Sequence, residues 1–236
     1  MKIIKFDIWG DYGHFKKFYT TASPVTFSIP PITAVFGILG AILGFDKEEY
    51  IDKLMNLETK VAIKIKNPIK KIRMGLNWIE TKSAGPFFNL IKQRTQIKVE
   101  FLKNPQYTFW IGGREELILN LWSFLSQHKT VYTPYLGISE CIANFGNAEL
   151  KEGKEVVPQE YMKVNSVVPF SYLKEKDAID FSYEGRYIKE RIPIIINKER
   201  QVLRYEDVLE EVAGKPIKVF PKKVWEFEDG ENILFF

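Results

Sequence analysis

Basic residues are concentrated in one segment of this 236-residue chain, and their placement limits the folds that it can adopt. Residues 60–103 include eleven Lys and Arg residues but only two acidic ones, which gives the segment a net charge of +9. The rest of the chain has 23 basic and 28 acidic residues, a net charge of −5. Because unpaired charges are costly to bury, this segment predicts either a solvated lysine-rich face or a surface that binds a polyanion.

The composition indicates a globular protein of a reducing compartment. Apolar residues make up 45% of the chain, too many for a disordered chain. The single cysteine, Cys141, excludes an intramolecular disulfide framework, and with only His14 and His128 available we expect no zinc or other metal site. The longest apolar stretch, residues 32–45, is shorter than the ~20 residues of a membrane span. We therefore expect a cytoplasmic protein without membrane contact.

Glycines in that apolar stretch do not form a nucleotide-binding motif. Gly37, Gly40 and Gly44 are not followed by the Gly-Lys-Ser/Thr ending of a P-loop, and the chain has no GxGxxG sequence. Small residues at this spacing favour a helix that packs closely on a sheet or on another helix. The sequence therefore predicts no cofactor and no small-molecule substrate.

Alternation of apolar and polar residues predicts the order of the elements. The predicted elements are a strand over 2–9, a helix from an N-cap at Thr33 to about Phe45, strands over 58–66 and 96–111, a helix over 114–127 and a strand over 130–135. This order, β-α-β-β-α-β, is that of a ferredoxin-like, RRM-type domain of the α+β class.

The two central strands of this pattern are longer than the usual ~5–6 residues. We expect them to project as a long β-hairpin, a thumb, over about residues 60–103 of an RRM-like domain that spans 1–145. A smaller β-rich region over 146–236 would follow it. The hypothesis requires that the lysines of the hairpin are not engaged by the protein's own acids.

A polyanion would meet cations on the hairpin and in an aromatic loop. Residues 10–19, GDYGHFKKFY, interleave rings with cations, as proteins that hold single-stranded RNA do, although an ordinary loop over the core has the same composition. The start of the helix at Thr33 would offer free N–H groups to a phosphate. The predicted RNA-binding residues are Lys16, Lys17, Thr33, Lys64, Lys66, Lys70, Lys71, Arg73, Lys82, Lys92 and Arg94.

Residues suited to catalysis are few. A metal-independent ribonuclease needs a general acid and a general base near one 2′-hydroxyl group. His14, Tyr19 and a hairpin lysine are the candidates, but a single loop histidine is more often a hydrogen-bonding residue. The sequence therefore predicts no catalytic residue, with His14 and Tyr19 as weak candidates for a nuclease.

Two segments resemble a known family. They are residues 6–44, FDIWGDYGHFKKFYTTASPVTFSIPPITAVFGILGAILG, and residues 133–145, TPYLGISECIANF. Both are similar to the signatures of the CRISPR-associated RAMP proteins of the Cas-five type, subunits of type I Cascade complexes, and the similarity is greatest to the type I-B branch. It covers about the first 145 residues well and the rest only in general character.

The resemblance implies a fold and a role. The fold is an RRM-like domain with a thumb hairpin and a smaller C-terminal β region. The role is that of a non-catalytic subunit in antiviral defence that caps the 5′ handle of the guide RNA, with the backbone subunit and the large subunit as protein partners. One alternative is a type I-C-like endoribonuclease that processes repeat RNA, although no Lys-His pair matches that branch. A second alternative is a stand-alone RRM-type RNA-binding protein.

Overall fold

The computed structural model describes residues 1–20, 23–79, 94–174, 177–182, 184–197 and 199–236. It has a mixed α and β fold with few helices and antiparallel sheets. The helices are α1 (Ile32–Leu43), α2 (Tyr50–Asn56) and α3 (Glu115–Leu125), with a 3-10 turn at Phe170–Tyr172. The strands are β1 (Lys2–Trp9), β2 (Tyr12–Gly13), β3 (Lys60–Ile65), β4 (Lys71–Ile79), β5 (Arg94–Lys103), β6 (Gln106–Gly112), β7 (Asn144–Glu152), β8 (Lys154–Val156), β9 (Met162–Val164), β10 (Val168–Pro169), β11 (Tyr187–Ile196), β12 (Val202–Glu211), β13 (Ile217–Val219), β14 (Val224–Glu226) and β15 (Asn232–Ile233).

The main sheet has the strand order β3-β6-β1-β7, and all its neighbours are antiparallel. Helix α1 connects β1 to β3, and β6 lies between these two strands in the sheet. Helix α3 connects β6 to β7, and β1 lies between those two strands. This is the strand order that two interleaved β-α-β units produce. Both faces of the central strands β1 and β6 are largely buried; one face is apolar, and the other combines Ile3 and Trp110 with the polar pair Asp7 and Thr108.

One face of the main sheet packs on the helices and the other on the C-terminal residues. Ile4, Phe6 and Ile8 of β1 lie in the core beneath α1 and α3. On the opposite face, Trp110 is fully buried in a cluster that includes Phe227 and Phe235. The end of the chain therefore covers the sheet face on which RRM proteins stack bases.

The prediction that Thr33 is the N-cap of α1 is wrong. Pro31 is the N-cap, and its carbonyl accepts the N–H groups of Ala34 at 2.8 Å and Val35 at 3.1 Å. Thr33 lies in the first turn, and no side chain caps the helix. A proline is well placed here because its fixed φ suits a helix start and its missing N–H costs nothing. At the other end, Gly44 has a φ of +75° and ends the helix in the left-handed conformation.

The last strand of the main sheet is β7, so the prediction of a strand over residues 130–135 is wrong. In that segment, the N–H groups of Val131 and Tyr132 donate to the carbonyls of Ile42 and Ala41 at the end of α1. These bonds satisfy helix carbonyls that have no partner within the helix. Strand β7 pairs with β1 instead, and it crosses the predicted domain boundary between residues 145 and 146.

The long hairpin is present but is divided into two parts. The inner part is β3 with β6, and the outer part, β4 with β5, belongs to a separate sheet. The last pair of the inner part is Ile65 with Tyr107, and the first pair of the outer part is Lys71 with Leu102. Between these pairs, residues 66–70 and 104–105 are outside the strands. The predicted pair of continuous strands is thus broken on both sides at the base of the outer hairpin.

The C-terminal region supports this base. The N–H of Ile69 donates to the carbonyl of Val212 at 2.8 Å. Gly214, with a φ of +78°, lies so close to the end of β3 that a Cβ would be 2.1 Å from the carbonyl oxygen of Ile65. The β11–β12 hairpin contributes Ile192 and Val208 to the same core as α1 and β1. Contacts of the C-terminal region thus hold the junction from which the outer hairpin leaves the main sheet.

Candidate nucleic-acid interface

The two segments that carry the family resemblance contact each other. The N–H of His14 donates to the carbonyl of Leu136 at 2.9 Å. Gly137 has a φ of +92°, and a Cβ there would be 2.0 Å from the carbonyl oxygen of His14. Gly10 is similarly restricted, since its Cβ would be 2.8 Å from the carbonyl oxygen of Ile142. Glycine is therefore required at these positions, because any side chain would separate the two segments.

His14 links this unit to the base of the hairpin. Its side chain is 4% exposed, and Nδ1 lies 2.7 Å from the carbonyl oxygen of Glu100 on β5. Burial lowers the pKa of His14, and the hydrogen bond to Glu100 only partly opposes this shift. The neutral ring therefore donates from Nδ1 to that carbonyl, a structural role.

Tyr19, the other weak catalytic candidate, is 63% exposed. Its ring packs edge-on against Phe18, and Phe18 lies 5.0 Å from the ring of Tyr205 on β12. The guanidinium of Arg191 lies 5.4 Å from the same tyrosine ring. The structure thus places His14 inside the protein and Tyr19 in an exposed aromatic cluster.

Sequence analysis missed the part of this cluster that comes from the C-terminal hairpin. Tyr205 and the 65% exposed Leu203 lie at alternate positions of β12, so both point away from the core. Residues 202–209, VLRYEDVL, have no clear alternation of apolar and polar residues, so the sequence did not indicate which face of β12 is buried.

Lys17, predicted to bind RNA, forms an ion pair inside the protein. Its Nζ lies 2.6 Å from Oε1 of Glu190, whose Oε2 accepts the N–H of Ser28 at 2.9 Å. Burial is the largest single effect and disfavours the charge of Lys17, but the hydrogen bond and the charge of Glu190, together with Tyr19, outweigh it and raise the pKa of Lys17. Neighbouring Lys16 is exposed and remains at the surface.

Lys64 lies on β3 of the main sheet, Lys66 follows directly after that strand, and both contact acids of the chain. Lys66 pairs with Asp7, which also accepts hydrogen bonds from Thr108 at 2.6 Å and Asn147 at 2.8 Å. Burial alone would raise the pKa of Asp7, but these three donors lower it. Lys64 lies 3.9 Å from Glu231.

The outer hairpin has one apolar and one polar face. Ile72, Met74, Leu76 and Ile97 are half-buried and pack toward the main core. The pairing register places Lys71, Arg73, Lys98 and Arg94 on the opposite face. The alternation that predicted a strand therefore also separates the cations from the apolar residues.

Glu100 neutralises the inner end of this polar face. It lies directly opposite Arg73, at 4.0 Å from its Nε, and 3.9 Å from Nζ of Lys71. Lys71 also donates to the carbonyl of Thr26 at 3.0 Å. Further along, Lys98 and Arg94 are exposed, as are Lys70 and Lys103 at the base, and no acid of the described residues pairs with them. These four residues are the cations that the described part of the outer hairpin makes available.

The remaining predicted RNA-binding residues have other outcomes. Lys82 and Lys92 lie outside the described residues. Thr33 is half-buried and lines a cleft beside α1.

Within the ranges that the structure describes, no group of three His, Cys, Asp or Glu side chains is arranged to hold a metal ion. Among the same residues, no helix is both long and apolar enough to cross a membrane.

Comparison with known proteins identifies the family. The family model described as CRISPR-associated protein (Cas_Cas5) matches residues 3–211, so this chain belongs to that family. The match includes both segments that meet at His14 and Gly137, and it extends through β12. No curated protein matches the chain.

Solved structures share the fold. A CRISPR protein from Archaeoglobus fulgidus aligns with a TM-score of 0.55 and 15% identity, over 99% of this chain and 98% of the other. A chain of a CRISPR RNA-guided surveillance complex aligns with a TM-score of 0.53 and 12% identity, over 92% and 90%. A chain of a type III-B Cmr-beta complex bound to cognate target RNA gives a TM-score of 0.53 and 14% identity, over 91% and 86%.

Proposed function

We propose that this chain is a non-catalytic subunit of a type I CRISPR surveillance complex, of the type I-B kind, that binds and caps the 5′ handle of the guide RNA in antiviral defence. Its partners would be that RNA, the adjoining backbone subunit and the large subunit. Family membership supports the proposal, as does the fold that the chain shares with a component of an RNA-guided surveillance complex.

The observation that carries the proposal is the polar face of the outer hairpin. Lys70 and Arg94, which were predicted to bind RNA, and Lys98 and Lys103, which were not, are exposed, and no described acid pairs with them. By contrast, acids of the chain engage five other predicted residues: Lys17, Lys64, Lys66, Lys71 and Arg73. Cations that the fold leaves unpaired, on an element that leaves the main sheet, suit the phosphates of a single strand.

Coverage of the main sheet argues against a stand-alone RRM-type protein. RRM domains stack bases on aromatic side chains of the open sheet face. Here Trp110 on that face is fully buried against Phe235, and Lys66 is paired with Asp7. The hairpin is thus the better candidate for the RNA contact.

The state of His14 supports a binding role rather than a nuclease. A general acid or base must reach a substrate hydroxyl. His14 is almost fully buried, and its Nδ1 is already hydrogen-bonded to the carbonyl of Glu100.

Purification of the tagged full chain from its native host tests the role. We expect it to bring down other subunits and a discrete short RNA with a repeat-derived 5′ end. Recovery of the chain alone, or with RNA of mixed sequence, would contradict the proposal.

A triple variant tests the RNA contact. Lys70→Ser, Arg94→Ser and Lys98→Ser together should weaken RNA binding and reduce the slope of log K against log[salt] by about 2, since each phosphate contact to a single strand contributes about 0.7. The matched control replaces Lys2, Lys53 and Lys223 with Ser, which removes three charges that already have acid partners. Equal affinity of the two variants would exclude the hairpin as the contact.

A cleavage assay with repeat RNA tests the non-catalytic part of the proposal. We expect no product from the purified chain. Handle-length product that is lost in Tyr19→Phe, a change at an exposed side chain, would establish the endoribonuclease alternative.

A further inference from the structure

A groove runs along α1, and none of its lining residues belongs to the outer hairpin. It consists of two adjoining depressions, with volumes of about 210 Å³ and about 420 Å³, that share Gly37, Ala41, Tyr50, Tyr135 and Arg200. One wall is α1, about 18 Å long for its 12 residues. The other wall is the segment around Tyr132 and Tyr135, and the turn between β11 and β12 closes the groove at Arg200.

Two residues of the groove are unfavourable for their local structure. Gly37 is in the interior of α1, where glycine is less stable than alanine. Nothing lies within 4 Å of where its Cβ would be, so packing does not explain the glycine. On the same helix, Gly40 is explained, because a Cβ there would lie 3.0 Å from Cβ of Tyr50.

Arg200 is the second such residue. Its φ is +61°, in the left-handed region that favours glycine or asparagine. The turn is held by hydrogen bonds from the N–H of Arg200 to the carbonyl of Asn197 and from the N–H of Gln201 to Asn197 Oδ1, at 3.0 and 2.7 Å. No acid of the described residues pairs with its exposed guanidinium. Residues that are unfavourable for their local secondary structure tend to occur at functional sites, and Gly37 and Arg200 both line this groove.

Tyr50 supplies a third, independent observation. It is 8% exposed, it lines both depressions, and its hydroxyl has no hydrogen-bond partner among the described residues. Burial raises its pKa, and the charge of Arg200, which lines the same two depressions, only partly opposes this shift. The hydroxyl oxygen is not one of the buried polar atoms that lack a partner, so it is accessible to a ligand or to water in the groove.

The walls suit a nucleotide better than a peptide. Tyr132 and Tyr135 are about half exposed and offer flat faces for stacking, beside the cation of Arg200. A peptide that adds as a strand needs a row of free backbone groups. The N–H groups of Val131 and Tyr132 are already bonded to α1, so this wall offers no such row.

We propose that the α1 groove is a second RNA-contact site, in which a base of the guide RNA stacks on Tyr135 and a neighbouring phosphate pairs with Arg200, while Gly37 leaves room for the ribose-phosphate chain. The site rests on the proposed RNA-binding function. It is connected to the base of the hairpin through Gly137, which borders the groove and packs on His14.

Two substitutions test the site without unfolding the protein. Gly37→Leu fills the groove at a position with open space, and Arg200→Gly removes the guanidinium while it relieves the left-handed backbone. Each variant should melt at the same temperature as the wild type or higher. Each should bind a fluorescent single-stranded RNA of about 12 nucleotides about tenfold more weakly, the loss expected for one stacked base or one phosphate contact.

A control and a second readout separate the possible outcomes. Arg204→Gly removes an exposed arginine of the same β11–β12 hairpin and should leave the affinity unchanged. Wild-type affinity in both groove variants, with weak binding in the Lys70, Arg94 and Lys98 variant, would overturn the groove site and leave the proposed function intact. No RNA binding by the wild-type chain, alone or in its complex, would overturn the proposed function itself. Groove variants that keep RNA but lose a subunit on purification would show a protein-docking site and so overturn the proposal.

Discussion

Cations that the sequence places together have opposite surroundings in the structure. Inner cations are those that an acid of the chain engages, and outer cations are exposed residues of the hairpin that no described acid engages. The inner cations among the predicted RNA-binding residues are Lys17, Lys64, Lys66, Lys71 and Arg73. The outer cations are Lys70, Arg94, Lys98 and Lys103. The comparison teaches that a count of basic residues overstates the charge available to a ligand.

The partners of the inner cations explain why the sequence did not separate the two groups. Lys66 meets Asp7 from β1, and Lys17 meets Glu190 from β11. Both acids are nearly buried, so the pairs stabilise the packing of distant elements. We therefore expect inner cations to determine stability and outer cations to determine binding.

The largest expected effect is at Lys17. The variant Lys17→Met leaves the buried carboxylate of Glu190 without its counter-charge and with only the N–H of Ser28 as a donor, and removal of one partner of a buried pair costs about 3–5 kcal/mol of unfolding free energy. Urea denaturation measures this loss. The double variant with Glu190→Gln should recover part of it, and a loss below about 1 kcal/mol would show that Lys17 does not have the role of an inner cation.

A smaller effect is expected at Lys66. Because Asp7 keeps its hydrogen bonds from Thr108 and Asn147, Lys66→Met should cost about 1–2 kcal/mol. The folded state lowers the pKa of Asp7, so its stabilising contribution is present above the unfolded pKa and is lost as the pH falls through the folded pKa. Denaturation at neutral and acidic pH should show a smaller acid-induced loss in the variant, and an equal loss in both proteins would refute this explanation.

Glu210 sharpens the comparison because it is a buried acid without a hydrogen-bond donor. Both its oxygens lack a partner among the described residues, and burial, together with the charge of Glu190, raises its pKa well above the ordinary value. Stability from this group is complete below the unfolded pKa and decreases as the pH rises toward the folded pKa. Glu210→Gln should therefore stabilise the protein near neutral pH, by about 1 kcal/mol, and the gain should increase with pH. A gain that does not change with pH would contradict this assignment.

The smallest effect on stability is expected for the outer cations. Lys98→Ser and Arg94→Ser should each change the unfolding free energy by less than about 0.5 kcal/mol, because neither side chain has an acid partner in the described part of the chain. Thermal and urea denaturation check this expectation. Destabilisation above 1 kcal/mol would mean that these residues stabilise the fold and would remove the distinction between the two groups.

Local patterns predicted much of the main sheet. The strand at Lys2–Trp9, the helix at Glu115–Leu125 and the family are confirmed. Strand β7 was missed because its Asn and Gly residues are poor strand formers, and its pairing with β1 overrides that preference. The segment over residues 130–135 has strand-like composition, but its N–H groups bond to the end of α1 instead.

The candidate site was only partly predictable. The cations of the outer hairpin were found from charge alone. Tyr50 and Arg200 of the α1 groove, by contrast, have no motif around them. They come together only because α2 and the β11–β12 turn both pack beside α1. Gly37 was part of a recognised glycine pattern, but nothing in the sequence distinguished it from Gly40.

Order along the chain determined where strands alternate, where helices begin and which segment is rich in positive charge, because these properties depend on neighbours a few residues apart. Only the tertiary structure decided which charges stay available and which glycines face open space. The reason is that an ion pair such as Lys17 with Glu190, or an empty position beside Gly37, depends on residues that are distant in sequence and meet when the core forms.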